Sequence, residues 1–270
     1  MLEHLPWVDP MRAPSPAVRA ALLEALHTHG VVRMKARALD PAGMVAFASA
    51  LGRTEPVEPD AHRLEGTAVL RLQSNMPGVG VAGGGLYWHS DGAWKPEPTA
   101  LTLLACAVAP PQGGETSFVD ARALLDELSP PLRERVSSAV GVYPGRALIR
   151  AELEAAGIHD PEYLDSLPDE TRHPLARPHP ITGAPALLVH QAALTRIDGV
   201  TGSESRALLE AVYDAVEGSP SRVRHRWAVN DVLLWDNRAV LHRAEPAPAG
   251  ATKVTWRALV SSLSGVAGTA

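Results

Sequence analysis

His89 and Asp91 stand two positions apart and carry the kinds of donor atom that bind a divalent metal ion. In an extended segment, residues at i and i+2 point to the same side, so both side chains can reach one ion. Two imidazoles and one carboxylate form the facial ligand set that holds non-haem Fe(II). The pair therefore requires a second histidine from elsewhere in the chain.

The candidate for that histidine is His242, far downstream. The segment 231–242 is typical of a strand, a tight turn at Asp236-Asn237 and a second strand that ends on His242. A His-x-Asp pattern alone is weak, because a surface histidine beside a solvated aspartate produces the same pattern. The downstream segment is what favours a metal site formed by His89, Asp91 and His242.

Length and composition narrow the class of protein. The 270 residues are compatible with a single domain over 1–270 that buries a substantial core. The chain has 25 basic and 30 acidic side chains, a net charge of −5 and no run of Lys or Arg, so nucleic acid is not an expected partner. Cys106 is the only cysteine, and no segment is typical of a signal peptide or a membrane span. These features predict a cytoplasmic protein without a membrane partner.

Helix and strand patterns predict a mainly β protein with flanking helices. Capping residues and apolar periodicity predict helices from Pro16 to Gly30, from Pro41 to Leu51, after Asp120, after Ser129 and from Gly202. Runs of β-prone residues predict strands over 30–35, 68–73, 99–108, 116–119, 185–190, 222–229, 232–235, 239–243 and 253–261. Many strands separated by long excursions favour a double-stranded β-helix, the cupin-like jelly roll. A parallel doubly wound sheet would need a regular strand and helix alternation that the last third lacks.

Two connections have an unusual composition. The stretch 144–180 is rich in proline and charge and lacks a sustained period, which predicts an irregular insertion near the mouth of the site. The glycine-rich stretch 75–85 precedes His89, and it is interpreted either as an ordinary long loop or as a lid that closes over substrate.

Several segments, taken in their order along the chain, resemble the taurine dioxygenase-like (TauD/TfdA) family of Fe(II)/2-oxoglutarate-dependent oxygenases, and the resemblance covers nearly the whole chain. The matching segments are Trp88-His89-Ser90-Asp91, Gly113-Gly114-Glu115-Thr116, Arg177-Pro178-His179-Pro180 with the residues up to Leu187, Trp235-Asp236-Asn237-Arg238 with His242, and Arg257. The resemblance implies a dioxygenase in which His89, Asp91 and His242 bind Fe(II), with 2-oxoglutarate and O2 as co-substrates. The implied reaction oxidises, most simply hydroxylates, a C–H bond of a small-molecule substrate and releases succinate and CO2.

The resemblance also implies a hydroxyl group and a cation that bind the far carboxylate of 2-oxoglutarate. Thr116 matches the hydroxyl donor. Family members commonly carry an arginine eleven residues after the distal histidine, where this chain has Lys253, and a second arginine fifteen residues after it, which is Arg257 here. Arg257 is the preferred partner of the far carboxylate, because a guanidinium clamps a carboxylate at two points and an ammonium does not. If Lys253 has that role instead, Arg257 is free to bind an anionic substrate.

Other functions are compatible with the same residues. A hydrolase or isomerase could use the three ligands with a metal that activates water, and an iron enzyme independent of 2-oxoglutarate could share the scaffold. A jelly-roll binding module would need no metal. The other prominent histidines are predicted to lie at the surface or behind the ligands: His173, His179, His190 and His225. The sequence does not specify the oligomeric state, and a homo-oligomer is compatible with it.

Overall fold

A computed structural model of the chain describes residues 2–76, 79–81 and 84–263. The stretch 75–85, interpreted as a loop or lid, therefore lies partly outside the described residues. Within the described ranges, no helix is long and apolar enough to cross a membrane.

The secondary structure is mostly strand, with helices at the outside. The strands are β1 (Leu2–His4), β2 (Val31–Lys35), β3 (Gly52–Thr54), β4 (Arg71–Ser74), β5 (Leu101–Val108), β6 (Thr116–Asp120), β7 (Val140–Tyr143), β8 (Thr171–Pro174), β9 (Ala176–Pro178), β10 (Pro185–Leu187), β11 (Arg196–Ile197), β12 (Val223–His225), β13 (Asp231–Asp236), β14 (Val240–Ala244) and β15 (Val254–Leu263). The helices are α1 (Pro16–His29), α2 (Pro41–Leu51), α3 (Ala121–Glu127), α4 (Pro130–Ser138), α5 (Gly145–Ala155), α6 (Pro161–Ser166) and α7 (Gly202–Gly218).

The larger sheet has the strand order β1-β2-β13-β5-β15-β3, and β4 also pairs with β15. Its central strand β5 pairs with β13 on one side and β15 on the other, both antiparallel. Successive side chains alternate between the two faces of a strand. Leu103 and Ala105 accordingly pack under helices α1 and α2, whereas Leu104 and Cys106 face into the protein.

The described residues also form the small sheets β10-β9 and β11-β7-β8, and a third, called the smaller sheet below, with the order β12-β6-β14. The smaller sheet lies against the inner face of the larger one. Phe118 of β6 and Val240 of β14 belong to the same buried cluster as Leu104 of the larger sheet. The outward residues Val119 and Leu241 pack instead with helices α3 and α7. Two sheets with helices on both outer faces leave an interior into which alternate residues of β6, β14 and β15 point, in agreement with the predicted jelly roll.

The strands on either side of Asn237 belong to different sheets. The sequence predicts strand, turn and strand here, and the structure has all three, but β13 pairs with β2 and β5 whereas β14 pairs with β6. The buried Asp236 carboxylate anchors the turn, since it accepts hydrogen bonds from the Arg238 backbone N–H (2.9 Å) and Nε (2.8 Å) and lies 3.0 Å from His179 Nε2. Arg238 is therefore structural, and the turn carries the chain from one sheet to the other.

The prediction that 144–180 is irregular is wrong. Helices α5 and α6 and strands β8 and β9 occupy this stretch, and β8 pairs antiparallel with β7. Leu148, Ile149 and Leu167 pack against the core cluster on the smaller sheet's outer side. The elements are short, and β8 pairs with β7 on the far side of the two helices, whereas β9 pairs with the nearby β10. Elements this short do not show a sustained local period.

Candidate metal centre

Backbone hydrogen bonds position the two candidate histidine ligands. His89 lies in a short extended stretch that forms an antiparallel bridge to His242 of β14. His89 N donates to His242 O at 3.0 Å, and His242 N donates to His89 O at 2.9 Å. His242 points into the interior, because it alternates with the outward-facing Leu241. The two rings consequently face each other, with centroids 4.1 Å apart.

Asp91 completes a cluster whose donor atoms all lie within 4.8 Å of one another. Its Oδ1 is 3.8 Å from His89 Nε2, and its Oδ2 is 3.5 Å from His242 Nε2. Each of the three residues is 6% exposed. The structure thus brings together the three ligands predicted from the sequence, in a buried group that could hold one ion.

The protonation states fit a divalent metal. His89 Nδ1 lies 2.8 Å from the carbonyl oxygen of Tyr87, and a proton on Nδ1 leaves the lone pair of Nε2 facing Asp91 and His242. Burial lowers the pKa of both His89 and His242. Burial alone would raise the pKa of Asp91, but the Arg257 charge, the two histidines and a hydrogen bond hold it well below its usual range. Neutral imidazole and ionised carboxylate are the forms that bind metal.

A hydrogen-bond network behind the carboxylate fixes its orientation. Thr102 Oγ1 donates to Asp91 Oδ2 at 2.6 Å, and Asn237 Nδ2 donates to Thr102 Oγ1 at 2.8 Å. Asn237 Oδ1 accepts from Trp235 Nε1 at 2.9 Å and from the backbone N–H of Asp91 at 3.3 Å. The Ser90 hydroxyl donates to the Asn237 carbonyl. Sequence reasoning missed Thr102 and Asn237, although the position of Asn237 beside Asp236 in the turn was a usable signal.

Gly85 lies in direct contact with a candidate ligand. Its φ is +79°, and a Cβ at this position would lie 2.9 Å from Cε1 of His89. Its carbonyl accepts from Ala244 N at 2.7 Å, which ties the segment to β14. Only glycine combines this conformation with so close an approach. At least this end of the glycine-rich stretch therefore packs against the metal centre.

The two predicted cations have different neighbours in the interior. Lys253 Nζ donates to the Gly114 carbonyl at 2.7 Å and lies 5.3 Å from the ring centroid of Trp227. Trp227 Nε1 donates to the buried Thr116 hydroxyl at 3.0 Å, so Lys253 and Thr116 share a contact with one indole. Arg257 Nη1 instead donates to Asp91 Oδ1 at 3.2 Å. Burial lowers the pKa of Lys253 to about 8.

The remaining prominent histidines are buried, so the part of the prediction that put them at the surface is wrong. The buried residues are His173, His179, His190 and His225. His190 comes nearest to the centre, with its ring 5.3 Å from that of His89, and its Nδ1 accepts from Ala193 N at 3.1 Å. Among the described residues, none of the four belongs to the ligand cluster. A separate cavity of about 840 Å³ is lined by residues such as Trp94, Tyr163 and Asn237 and by none of the three ligands.

Comparison with known proteins identifies the family. The model of the family described as "Taurine catabolism dioxygenase TauD, TfdA family" matches residues 3–259. The chain belongs to this family. The TauD/TfdA family consists of Fe(II)- and 2-oxoglutarate-dependent dioxygenases, and the predicted family is confirmed. The donor set described above fits the metal that this family uses.

Relatives with named activities are similar over much of the chain. The alpha-ketoglutarate-dependent sulfate ester dioxygenase of Pseudomonas putida is 30% identical over 240 residues, which are 85% of this chain and 77% of that protein. The (S)-phenoxypropionate/alpha-ketoglutarate-dioxygenase of Sphingobium herbicidovorans is 30% identical over 225 residues, covering 80% of this chain and 77% of the relative. The matched region covers only 39% of the length of a relative from Schizosaccharomyces pombe and 60% of the length of a relative from Delftia acidovorans.

A solved structure of a TauD/TfdA-type enzyme shows the same fold. The crystal structure of a taurine dioxygenase from Burkholderia xenovorans superposes with a TM-score of 0.80 at 27% identity, covering 96% of this chain and 85% of the other. The jelly-roll prediction is therefore confirmed.

Proposed function

We propose that this chain oxidises a C–H bond of a small anionic organic substrate, using Fe(II), 2-oxoglutarate and O2 and releasing succinate and CO2. One oxygen atom of O2 enters succinate and the other enters the hydroxylated substrate, so the reaction balances without a further reductant. The observation that carries this proposal is the buried cluster of two neutral histidines and one ionised aspartate in a chain of the TauD/TfdA family.

His89, Asp91 and His242 are the proposed ligands of Fe(II). The bound metal would supply the site for O2 activation, which no side chain of this chain can provide. The protein's part is to keep both imidazoles neutral and to orient the carboxylate through Thr102. Burial of all three residues also keeps bulk water away from the reaction.

Lys253 and Thr116 are the proposed partners of the far carboxylate of 2-oxoglutarate. Both contact Trp227, which belongs to the buried cluster between the sheets. Guanidinium chemistry favours Arg257 for this role, but the spacing from His242 and the contact of Arg257 with Asp91 favour Lys253. A buried ammonium has a strong interaction with a carboxylate, since little water competes for it.

Arg257 is then available for the substrate, and it supports the proposal that the substrate is anionic. The relatives named above act on a sulfate ester and on phenoxypropionate, as their names state, and both compounds carry an anionic group. A hydrolase or isomerase with a water-activating metal would have no use for the second, buried cation at Lys253.

We also propose a cytoplasmic location and a small-molecule partner, with no role for nucleic acid or membrane. The single, buried Cys106 and the net charge of −5 support these assignments. We further propose that the chain forms a homo-oligomer, which sedimentation analysis of the purified protein would test.

The test of the proposed function is an anaerobic titration of the metal-free protein, first with Fe(II) and then with 2-oxoglutarate. We expect a visible charge-transfer band in the parent protein and no band in His89→Ala. Exposure to O2 should then release succinate. Iron binding without a band would contradict the 2-oxoglutarate site and favour the other metal-dependent activities.

A further inference from the structure

Two arginines lie directly opposite each other beside the metal centre. In the pairing of β15 with β4, Arg257 is the partner of Arg71. Directly opposed residues of an antiparallel pair lie on the same face of the sheet, and like charges in that position repel each other. Arg257 contacts Asp91 on the inner face, so Arg71 shares that face. The pair places two positive charges side by side, and of the two Arg257 hydrogen-bonds to Asp91, so an anionic ligand near both guanidinium groups would reduce their repulsion.

The unpaired donors of these arginines support that interpretation. The Nε atoms of both Arg71 and Arg257 are buried and have no hydrogen-bond partner among the described residues. Arg257 has Asp91 as an ion-pair partner, but Arg71 forms no ion pair within the described ranges. Burial and the charge of Arg257 lower the pKa of Arg71 to about 10, although Glu152 and Asp91 act in the opposite direction. Arg71 nevertheless stays charged at neutral pH.

His62 holds Arg71 in place without neutralising it. Arg71 Nη2 lies 2.9 Å from Nδ1 of the buried His62, which ends the short 3₁₀ helix Asp60–His62. Burial and the charges of Arg71 and Arg257 lower the pKa of His62 to about 4, so the ring is neutral and its nitrogen accepts the hydrogen bond. A neutral acceptor orients a guanidinium while leaving its positive charge available to a ligand.

We propose that Arg71 is a second substrate-binding cation, which together with Arg257 binds the oxyanion group of the substrate. This inference rests on the proposed function and adds a specificity-determining residue to it. The group that the two arginines would bind is a monoanionic oxyanion with at least two terminal oxygens, as in a sulfonate, a sulfate ester or a carboxylate. Guanidinium groups bind such oxygens through paired, charge-assisted hydrogen bonds. A neutral compound of the same shape would leave Arg71 without a charged partner.

The test measures anion binding by calorimetry to the metal-free protein in a buffer free of sulfate, phosphate and carboxylates. The probes are 1-butanesulfonate, butyl sulfate and pentanoate, with 1-pentanol as the neutral comparison. We expect the parent to bind at least one anion and not the alcohol, and Arg71→Gln to bind that anion about tenfold more weakly. Arg71→Lys keeps the charge and should lie between the two. The three anions distinguish sulfonate, sulfate and carboxylate preferences.

Two controls keep the outcome specific to Arg71. Arg206→Gln removes an exposed arginine on α7 and should bind like the parent. The anaerobic Fe(II) and 2-oxoglutarate band of Arg71→Gln should match that of the parent, which separates this inference from the proposed function. Equal anion binding by the parent and Arg71→Gln would overturn the inference. Loss of the 2-oxoglutarate band in Arg71→Gln would also overturn it, because Arg71 would then bind the co-substrate. If the parent forms no band but Arg71→Gln still loses the anion, the proposed function fails and the anion site stands.

Discussion

His89 and His242 lie directly opposite each other in an antiparallel bridge, and each donates its backbone N–H to the other's carbonyl oxygen. The distance between the two imidazoles therefore depends more on the backbone bridge to β14 than on the conformations of the side chains. A site built in this way is largely formed before a metal binds, which limits the entropy lost on binding.

Thr102 should tune the metal affinity through Asp91. In Thr102→Val, the 2.6 Å hydrogen bond to Asp91 Oδ2 is lost, while the size of the side chain is kept. We expect Fe(II) binding about tenfold to a hundredfold weaker in equilibrium titrations, as for other partners of ligating carboxylates. Thr102→Ser keeps the hydroxyl and should bind like the parent. Equal affinity in Thr102→Val and the parent would show that the hydrogen bond does not support the ligand.

Gly85 and Gly84 are adjacent glycines at which the same substitution by alanine should have different effects. In Gly85→Ala, the new Cβ would meet His89 at 2.9 Å with φ at +79°, whereas nothing lies within 4 Å of a Cβ added at Gly84. We expect Gly85→Ala to lower the free energy of unfolding by about 1–3 kcal/mol and to weaken metal binding, because His89 must move. Urea unfolding and Fe(II) titration measure the two effects. Gly84→Ala should change neither, and similar losses in both variants would contradict the proposed contact.

The affinity for 2-oxoglutarate should depend on the charge of Lys253. The pKa of this ammonium is lowered to about 8 by burial, so it is charged below that pH and loses its proton as the pH rises. The carboxylate needs the charged form, so affinity should be constant below pH 8 and fall by up to about tenfold per pH unit above it. Calorimetry at several pH values would show this, and Lys253→Arg should remove the dependence. A flat profile in the parent would assign the carboxylate to another cation.

Asp236 should matter for stability more than for metal binding. Its carboxylate is 1% exposed and holds both Arg238 and His179 at the turn between the sheets. Burial would raise its pKa, but Arg238 and His179 keep it well below the usual range, so the group is charged when folded. Asp236→Ala should lower the free energy of unfolding by about 3–5 kcal/mol, because the other buried groups lose their partner. Urea unfolding tests this. A change below about 1 kcal/mol would contradict the anchoring role.

Much of the site could be predicted from local patterns. The i, i+2 spacing of His89 and Asp91 and the strand that ends near His242 were sufficient to predict that these three side chains form one cluster. The spacing of Lys253 and Arg257 predicted that both face inward; Lys253 lies just before β15, and the two contact Gly114 and Asp91, respectively. These features depend on residues close together in the sequence or on the regular period of a strand.

The features that could not be predicted depend on long-range pairing. The contact of Thr102 with Asp91 and the position of Arg71 opposite Arg257 follow from strand order and register, which a single sequence does not specify. The burial of His190 likewise depends on the bridge that pairs it with His89. Strand β8 and the helices within 144–180 were missed because they are short and their packing partners lie in other parts of the fold.

The most direct test of the central claim is the stoichiometry of Fe(II) binding under anaerobic conditions, measured for the parent and for His89→Ala, Asp91→Ala and His242→Ala. We predict one Fe(II) per chain in the parent and loss of most of the affinity in each variant, with the fold retained by circular dichroism. Binding that persists unchanged in any of the three folded variants would contradict the metal centre described above.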